Sequence, residues 1–168
     1  MTVCLVMWAM MLASLQAHAQ GTTIGQSGLK VPRFVSLKSD RVNVRAGPST
    51  DHKVKWVFRR AGLPVEIVSE FDNWRQIRDS EGEEGWVFHS LLSGRRTALI
   101  SPWQSVGTLV PLLRSPREDA PIALEAQIGV QVDIKECKKG WCEVIAKKYT
   151  GWLKSNLLWG VYPNEEVK

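Results

Sequence analysis

Lysine, arginine, aspartate and glutamate are all absent from the first 29 of the 168 residues, and no methionine occurs after Met11. Within that uncharged stretch Val3 to Leu15 is almost wholly apolar, and Ala17-His18-Ala19 follows it. An apolar run closed by an A-x-A pattern is the mark of a secretory signal peptide, with residues 1–19 removed and Gln20 as the new terminus. Its positively charged start is missing, and the run is shorter than the roughly 20 apolar residues of a spanning helix, so an uncleaved anchor is the weaker reading. The expectation is export to the periplasm or medium, with no transmembrane anchor after cleavage. Cysteine is scarce: beyond Cys4 there are only Cys137 and Cys142. Histidine is as scarce, outside the leader only at His52 and His89, and neither an HExxH nor a G-x-S-x-G pattern occurs. Those absences remove the usual hydrolytic and metal signatures, so no enzyme, no cofactor and no metal site is expected.

Charge is also modest. The formal net charge is +5, and the basic pairs Arg59-Arg60, Arg95-Arg96, Lys138-Lys139 and Lys147-Lys148 are scattered among acids. A nucleic-acid binder concentrates such charge on one stripe, so nucleic acid is not an expected partner. Asp79, Glu81, Glu83 and Glu84 form one acidic cluster, of the kind a solvated hairpin tip carries.

What the chain has in excess is tryptophan, eight in all, and a repeat. Gly62 and Trp74 recur 67 residues later as Gly129 and Trp141; Gly85-Trp86 and Leu91-Leu92 recur after 66 as Gly151-Trp152 and Leu157-Leu158. Two units follow, 34–92 and 107–160, joined by a connector over 93–106. A flexible segment, 20–33, precedes them and a tail, 161–168, closes the chain. Val65 and Ile67, and Val130, Val132 and Ile134, alternate with other residues, which is the period of a strand. No window after the leader sustains a helical stripe. Short strands in so small a unit bury a core best by closing into a barrel. The fold class is therefore all-β, two small barrels in tandem. The recurrence of Trp74, Trp86, Trp141 and Trp152 predicts that these four fill the barrel cores, and the leucine pairs predict a short 3₁₀ turn closing each barrel.

Val42-Asn43-Val44-Arg45-Ala46-Gly47-Pro48-Ser49, followed by the Gly-x-x-Val strand, the Trp turn and the closing Gly85-Trp86-Val87, resembles bacterial SH3-like domains. The second unit resembles them with a degenerate opening, Leu112-Leu113-Arg114-Ser115-Pro116. With the Ser93–Thr97 connector and the cysteine pair, the chain is similar to exported tandem SH3-like proteins of alphaproteobacteria. The resemblance implies a binding or targeting role. Such domains accompany cell-wall hydrolases and attach them to peptidoglycan, so the expected partner is peptidoglycan or an envelope protein. The alternative is an accessory protein whose barrels serve a protein–protein contact without touching the wall.

Four residues separate Cys137 from Cys142, and Lys139-Gly140 between them predicts a turn. Opposite residues of an antiparallel pair lie close enough for a disulfide. A zinc pair lacks neighbouring histidines and a redox pair more usually has C-x-x-C spacing, so a structural disulfide is expected. Trp56, Trp103 and Trp159 lack aromatic counterparts in the other unit, which makes them candidates for ligand contact or packing between barrels. Arg45 lies beside the long loop that, in SH3-like folds, borders the binding groove. Arg45 and Trp56 of the first unit, with Trp103 of the connector, form the expected ligand surface.

Overall fold

The computed structural model describes residues 21–168; the expected leader over 1–19 lies outside the described residues. A small hairpin, β1 (Thr23–Ile24) and β2 (Lys30–Val31), leads into the first unit. That unit runs β3 (Arg33–Leu37), β4 (Val42–Arg45), β5 (Val54–Phe58), β6 (Pro64–Phe71), β7 (Trp74–Arg78), β8 (Glu84–Phe88), a 3₁₀ turn at His89–Leu91 and β9 (Leu92–Ser93). The second runs β10 (Thr97–Ile100), β11 (Leu109–Leu113), β12 (Ile122–Gln127), β13 (Gln131–Lys138), β14 (Trp141–Ala146), β15 (Tyr149–Lys154), a 3₁₀ turn at Ser155–Leu157 and β16 (Leu158–Trp159). The sheet orders β5-β4-β8-β7-β6-β3-β9 and β12-β11-β15-β14-β13-β10-β16 match term by term. The molecule is two copies of one all-β, SH3-like architecture, and the predicted 3₁₀ turns fall on the leucine pairs in both.

Each barrel closes on a small aliphatic core. Val42, Val44, Val65, Ile67, Ile77 and Val87 fill the first; Leu112, Val132, Val144, Leu153 and the cystine are among those that fill the second. Full burial of each such side chain contributes about 1.5–3 kcal/mol. The four recurring tryptophans are not in these cores. Trp74, Trp86, Trp141 and Trp152 are half-buried on the outer faces of their sheets, each flanked by buried neighbours such as Arg75, Gly85, Val87, Cys142, Gly151 and Leu153. The reason is the strand period of two. Trp74 and Ile77 are three apart, so they point to opposite faces, and Ile77 takes the inside. In each Gly-Trp pair the glycine takes the inside: a Cβ on Gly85 would lie 2.4 Å from Val44 Cγ1, and one on Gly151 would lie 2.7 Å from Leu112 Cβ.

Three segments are more structured than the repeat suggested. The hairpin of β1 and β2 sits in the supposedly flexible stretch 20–33, and it is tied to the first barrel through Ser27, whose N–H and hydroxyl both donate to Glu70 at 2.7 Å. Glu70 also meets Arg33 at 2.8 Å and Arg75 at 3.2 Å, with its own side chain 1% exposed. Burial works to raise its pKa, but the Ser27 hydrogen bonds and Arg33 outweigh it and hold the carboxyl below its ordinary value. The second correction concerns the connector 93–106, which contains β10. That strand pairs with β13 and β16 as β3 pairs with β6 and β9, so the second unit begins near Thr97. The third concerns the tail: Val167 exchanges backbone hydrogen bonds with Cys137 at 2.9 and 3.1 Å. With its backbone groups turned to Val167, Cys137 meets Cys142 as a non-hydrogen-bonded pair, the register in which opposite side chains come closest. The two are joined as a disulfide, with Cα atoms 4.1 Å apart.

The barrels pack against one another. Phe34 of β3 is buried edge-on against Trp159, with ring centroids 5.1 Å apart, and against Tyr162 at 4.8 Å. The Tyr162 hydroxyl donates to Glu66 at 2.8 Å, the Thr97 hydroxyl donates to the Gly62 carbonyl at 2.8 Å, and Arg95 pairs with Asp133. The tail segment holding Tyr162 is fixed by Arg96, which grips both oxygens of Glu165 and the Gly160 carbonyl. Among the described residues no helix is long and apolar enough to cross a membrane.

Candidate functional site

The outer face of β4, β8 and β7 collects side chains that the inner face cannot hold. Because β7 and β8 are antiparallel, Trp74 stands opposite Phe88, and the next register brings Gln76 opposite Trp86. Arg45 lies beside Trp86 across β4 and β8. Phe71 of β6 extends the first row, opposite Trp74. Trp74 and Phe88 meet edge to face, 5.5 Å between centroids at 80°, the geometry that sets a positive ring edge against a negative face. Phe71 is 54% exposed and Phe88 36%, so the row Phe71–Trp74–Phe88 offers aromatic surface to solvent. A shallow groove of about 160 Å³ runs beside it, lined by Asn43, Arg45, Thr50, Trp74, Phe88 and Leu91.

Arg45 is the groove's brace. Its Nη1 donates to the carbonyls of Thr50 at 2.9 Å and His52 at 2.7 Å, closing the loop 46–53 over one side. Gly47 lets that loop fold tightly, since a Cβ there would lie 2.4 Å from the His52 ring. With one nitrogen committed to the loop, Arg45 still brings a guanidinium to the groove wall.

The second barrel lines the equivalent face with different residues. Leu113 stands where Arg45 does, each beside the tryptophan of its Gly-Trp pair. Lys154 takes the place of Phe88, opposite Trp141. Its ammonium sits 5.8 Å from the Trp141 ring centroid and pairs with Glu118, from the loop equivalent to 46–53. The Lys154 hydrogen bond and charge hold the Glu118 carboxyl below its ordinary pKa. An ion pair thus lies over Trp141 where Phe88 lies against Trp74 in the first barrel.

The three residues expected to form one ligand surface do not come together. Arg45 is on the outer face. Trp56 stands opposite the fully buried Val44, hence on the inner face of the β4–β5 ribbon, and packs on Phe58 at 6.0 Å. Trp103 is 56% exposed on a turn after β10 and lines neither the groove nor the cavity that Trp56 lines. Trp159 goes to the barrel junction. The groove aromatics Trp74 and Phe88 were legible in principle, because Trp74-x-x-Ile77 and Trp86-x-Phe88 place them out of phase with the core. Among the described residues no cluster of three or more His, Cys, Asp or Glu is placed to hold a metal.

A Bacillus subtilis (strain 168) protein named "Putative N-acetylmuramoyl-L-alanine amidase YrvJ" is 27% identical over 125 residues, which cover 71% of this chain but 24% of that protein. Two solved structures, NlpC1 and NlpC2 from Trichomonas vaginalis, align over 76% of this chain at TM-scores of 0.33, with 16% and 13% identity, and over 45% and 48% of their own lengths. The chain thus spans about a quarter of the amidase relative and under half of each solved chain. The family model described as "Bacterial SH3 domain" matches twice, at residues 38–94 and 106–160, once on each barrel, and the chain belongs to that family.

Proposed function

We propose that the chain is a non-catalytic binding module of the cell envelope that recognises peptidoglycan or an envelope protein through the first barrel's groove. The observation that carries this reading is the solvent-facing Phe71–Trp74–Phe88 row beside Arg45, an aromatic patch rimmed by a cation. Aromatic faces stack on sugar rings and arginine meets carboxylates through charge-assisted hydrogen bonds. Membership of the bacterial SH3 family, and a relative named as an amidase, support a wall ligand. The disulfide supports an exported setting, periplasmic or secreted.

The test is co-sedimentation of the exported protein with purified peptidoglycan at low salt. Wild type pellets with the polymer. Folded Trp74→Ala and Phe88→Ala each weaken binding about three- to tenfold, the scale of an aromatic contact, while Trp103→Ala does not. Wild type remaining in the supernatant overturns the wall reading. The accessory reading, in which the barrels serve a protein contact, is favoured by one observation, the commitment of Trp159 and Tyr162 to the junction.

A further inference from the structure

On the far side of the β4–β5 ribbon from the groove, a second cavity of about 480 Å³ opens where the barrels meet. Its floor is apolar: Trp56, Phe58 and Leu63 from the first barrel, and Leu99 from the second. Its lip is the β7–β8 hairpin tip, which brings Asp79, Glu81 and Glu83 to the opening. No lysine, arginine or histidine lines it. Asp79 is spent on the turn, its Oδ1 accepting from the Glu81 and Glu83 N–H groups at 3.0 Å. The Glu81 and Glu83 side chains remain exposed, without a cation within salt-bridge distance. Glu84 points elsewhere, to Arg78 and Gln76. Lys55 takes one face of Trp56, 5.0 Å from the ring centroid, and is anchored on the Glu84 carbonyl.

The second barrel supplies an internal comparison. A cavity of about 560 Å³ occupies the equivalent place, with Leu124 at the position of Trp56, Ala126 at that of Phe58, and Lys147 and Tyr149 on the hairpin tip. There the floor is aliphatic and the hairpin tip carries Lys147 in place of carboxylates; Arg60 of the first barrel adds a further cation, and Glu125 of β12 is the one acid in the lining. The aromatic floor and acidic lip are therefore particular to the first barrel and not a consequence of the fold. Carboxylates on a hairpin tip alone would be a solvated surface. Here they rim an apolar chamber within the roughly 300–1,000 Å³ range of small-ligand sites.

We infer that this junction cavity binds a primary alkylammonium group, the side chain of a lysine-type diamino acid. The aliphatic stem lies against Phe58, Leu63 and Leu99, and the ammonium meets Glu81 and Glu83 beside the aromatic floor. An anionic or purely apolar ligand would leave those carboxylates unused or repelled. The site is separate from the Trp74–Phe88 groove, so each stands or falls without the other.

The probe is Nα-acetyl-lysine methylamide, titrated into the full exported chain and followed by the Trp56 indole N–H resonance, assigned by its loss in Trp56→Leu. Leu124 fills the equivalent position in the second barrel, which argues that Trp56→Leu folds. The expected result is a saturable, salt-sensitive shift of that resonance. The shift is absent with the Nε-acetylated probe, which lacks the charge. In Glu81→Gln/Glu83→Gln, whose substitutions are exposed and leave the Asp79 turn intact, affinity falls about threefold or more, as for loss of exposed ion pairs. No shift in wild type, an equal shift with the acetylated probe, or unchanged affinity in the double variant overturns the proposal. Peptidoglycan sedimentation that depends on Trp74 and Phe88 is unaffected by any of these outcomes.

Discussion

At the residue scale, the Gly-Trp pairs show how one steric fact sorts side chains between faces. Gly85 and Gly151 sit where β8 and β15 pass closest to β4 and β11, and their lack of a Cβ is what lets the strands meet. Gly85→Ala puts a methyl 2.4 Å from Val44 Cγ1 and 3.0 Å from the Arg45 carbonyl. Val44 is fully buried and cannot move aside cheaply. The expected cost is about 1–3 kcal/mol, the usual range for overpacking, read from denaturant unfolding. Equal stability of Gly85→Ala and wild type would mean that the strands separate freely there. The same pairs explain what the repeat could not tell. Constant spacing identifies equivalent positions but not the face each one takes. Phase does: an odd separation from Ile77 sends Trp74 outward, and adjacency to Val87 sends Trp86 outward. Recurrence of the four tryptophans marks a shared outer surface and not a shared core.

At the element scale, both barrels and their closing 3₁₀ turns were legible, because the Gly, Trp and Leu landmarks lie within β6 to β9 and β13 to β16 or on their turns. The first strand of the second unit was not. Phe34, Val35 and Ser36 of β3 correspond to Thr97, Ala98 and Leu99 of β10 by their pairing, and share no residue type. The pairing of Cys137 with Cys142 was legible, since five positions across a tight turn leave the two opposite. The role of the tail was not, because Val167 joins β13 through backbone groups that any residue carries. The disulfide and the tail therefore support one element from its two sides. Replacing both cysteines by serine is expected to cost about 1–3 kcal/mol, below the full range for disulfides because the closed loop is so short. Amide exchange should rise at Val167 as well as in the hairpin. Faster exchange in the hairpin alone would show that the tail is held independently.

At the scale of the whole molecule, the question is what makes two repeats one body. The junction holds a buried polar contact beside its aromatic packing. Glu66 is 6% exposed, and accepts from Arg78 at 3.3 Å and from the Tyr162 hydroxyl at 2.8 Å. Burial raises the Tyr162 pKa above its ordinary value of 10.0, and the hydrogen bond to Glu66 and its charge raise it further. A group whose pKa is higher in the folded state binds its proton more tightly there. Its contribution is complete below pH 10 and is lost as pH rises above that value. Tyr162→Phe removes the hydroxyl and leaves Glu66 to Arg78, at an expected cost of about 1–3 kcal/mol near neutral pH. As pH is raised past 10, the wild type should lose stability relative to Tyr162→Phe by less than about 1.4 kcal/mol per unit, because Tyr162 is only partly shielded from solvent. The difference between the two proteins therefore narrows in alkali. Unfolding curves at pH 9, 10 and 11, about one unit apart around the tyrosine value, measure it. A difference that stays constant across that series would mean that the folded chain does not hold the Tyr162 proton more tightly than the unfolded chain does.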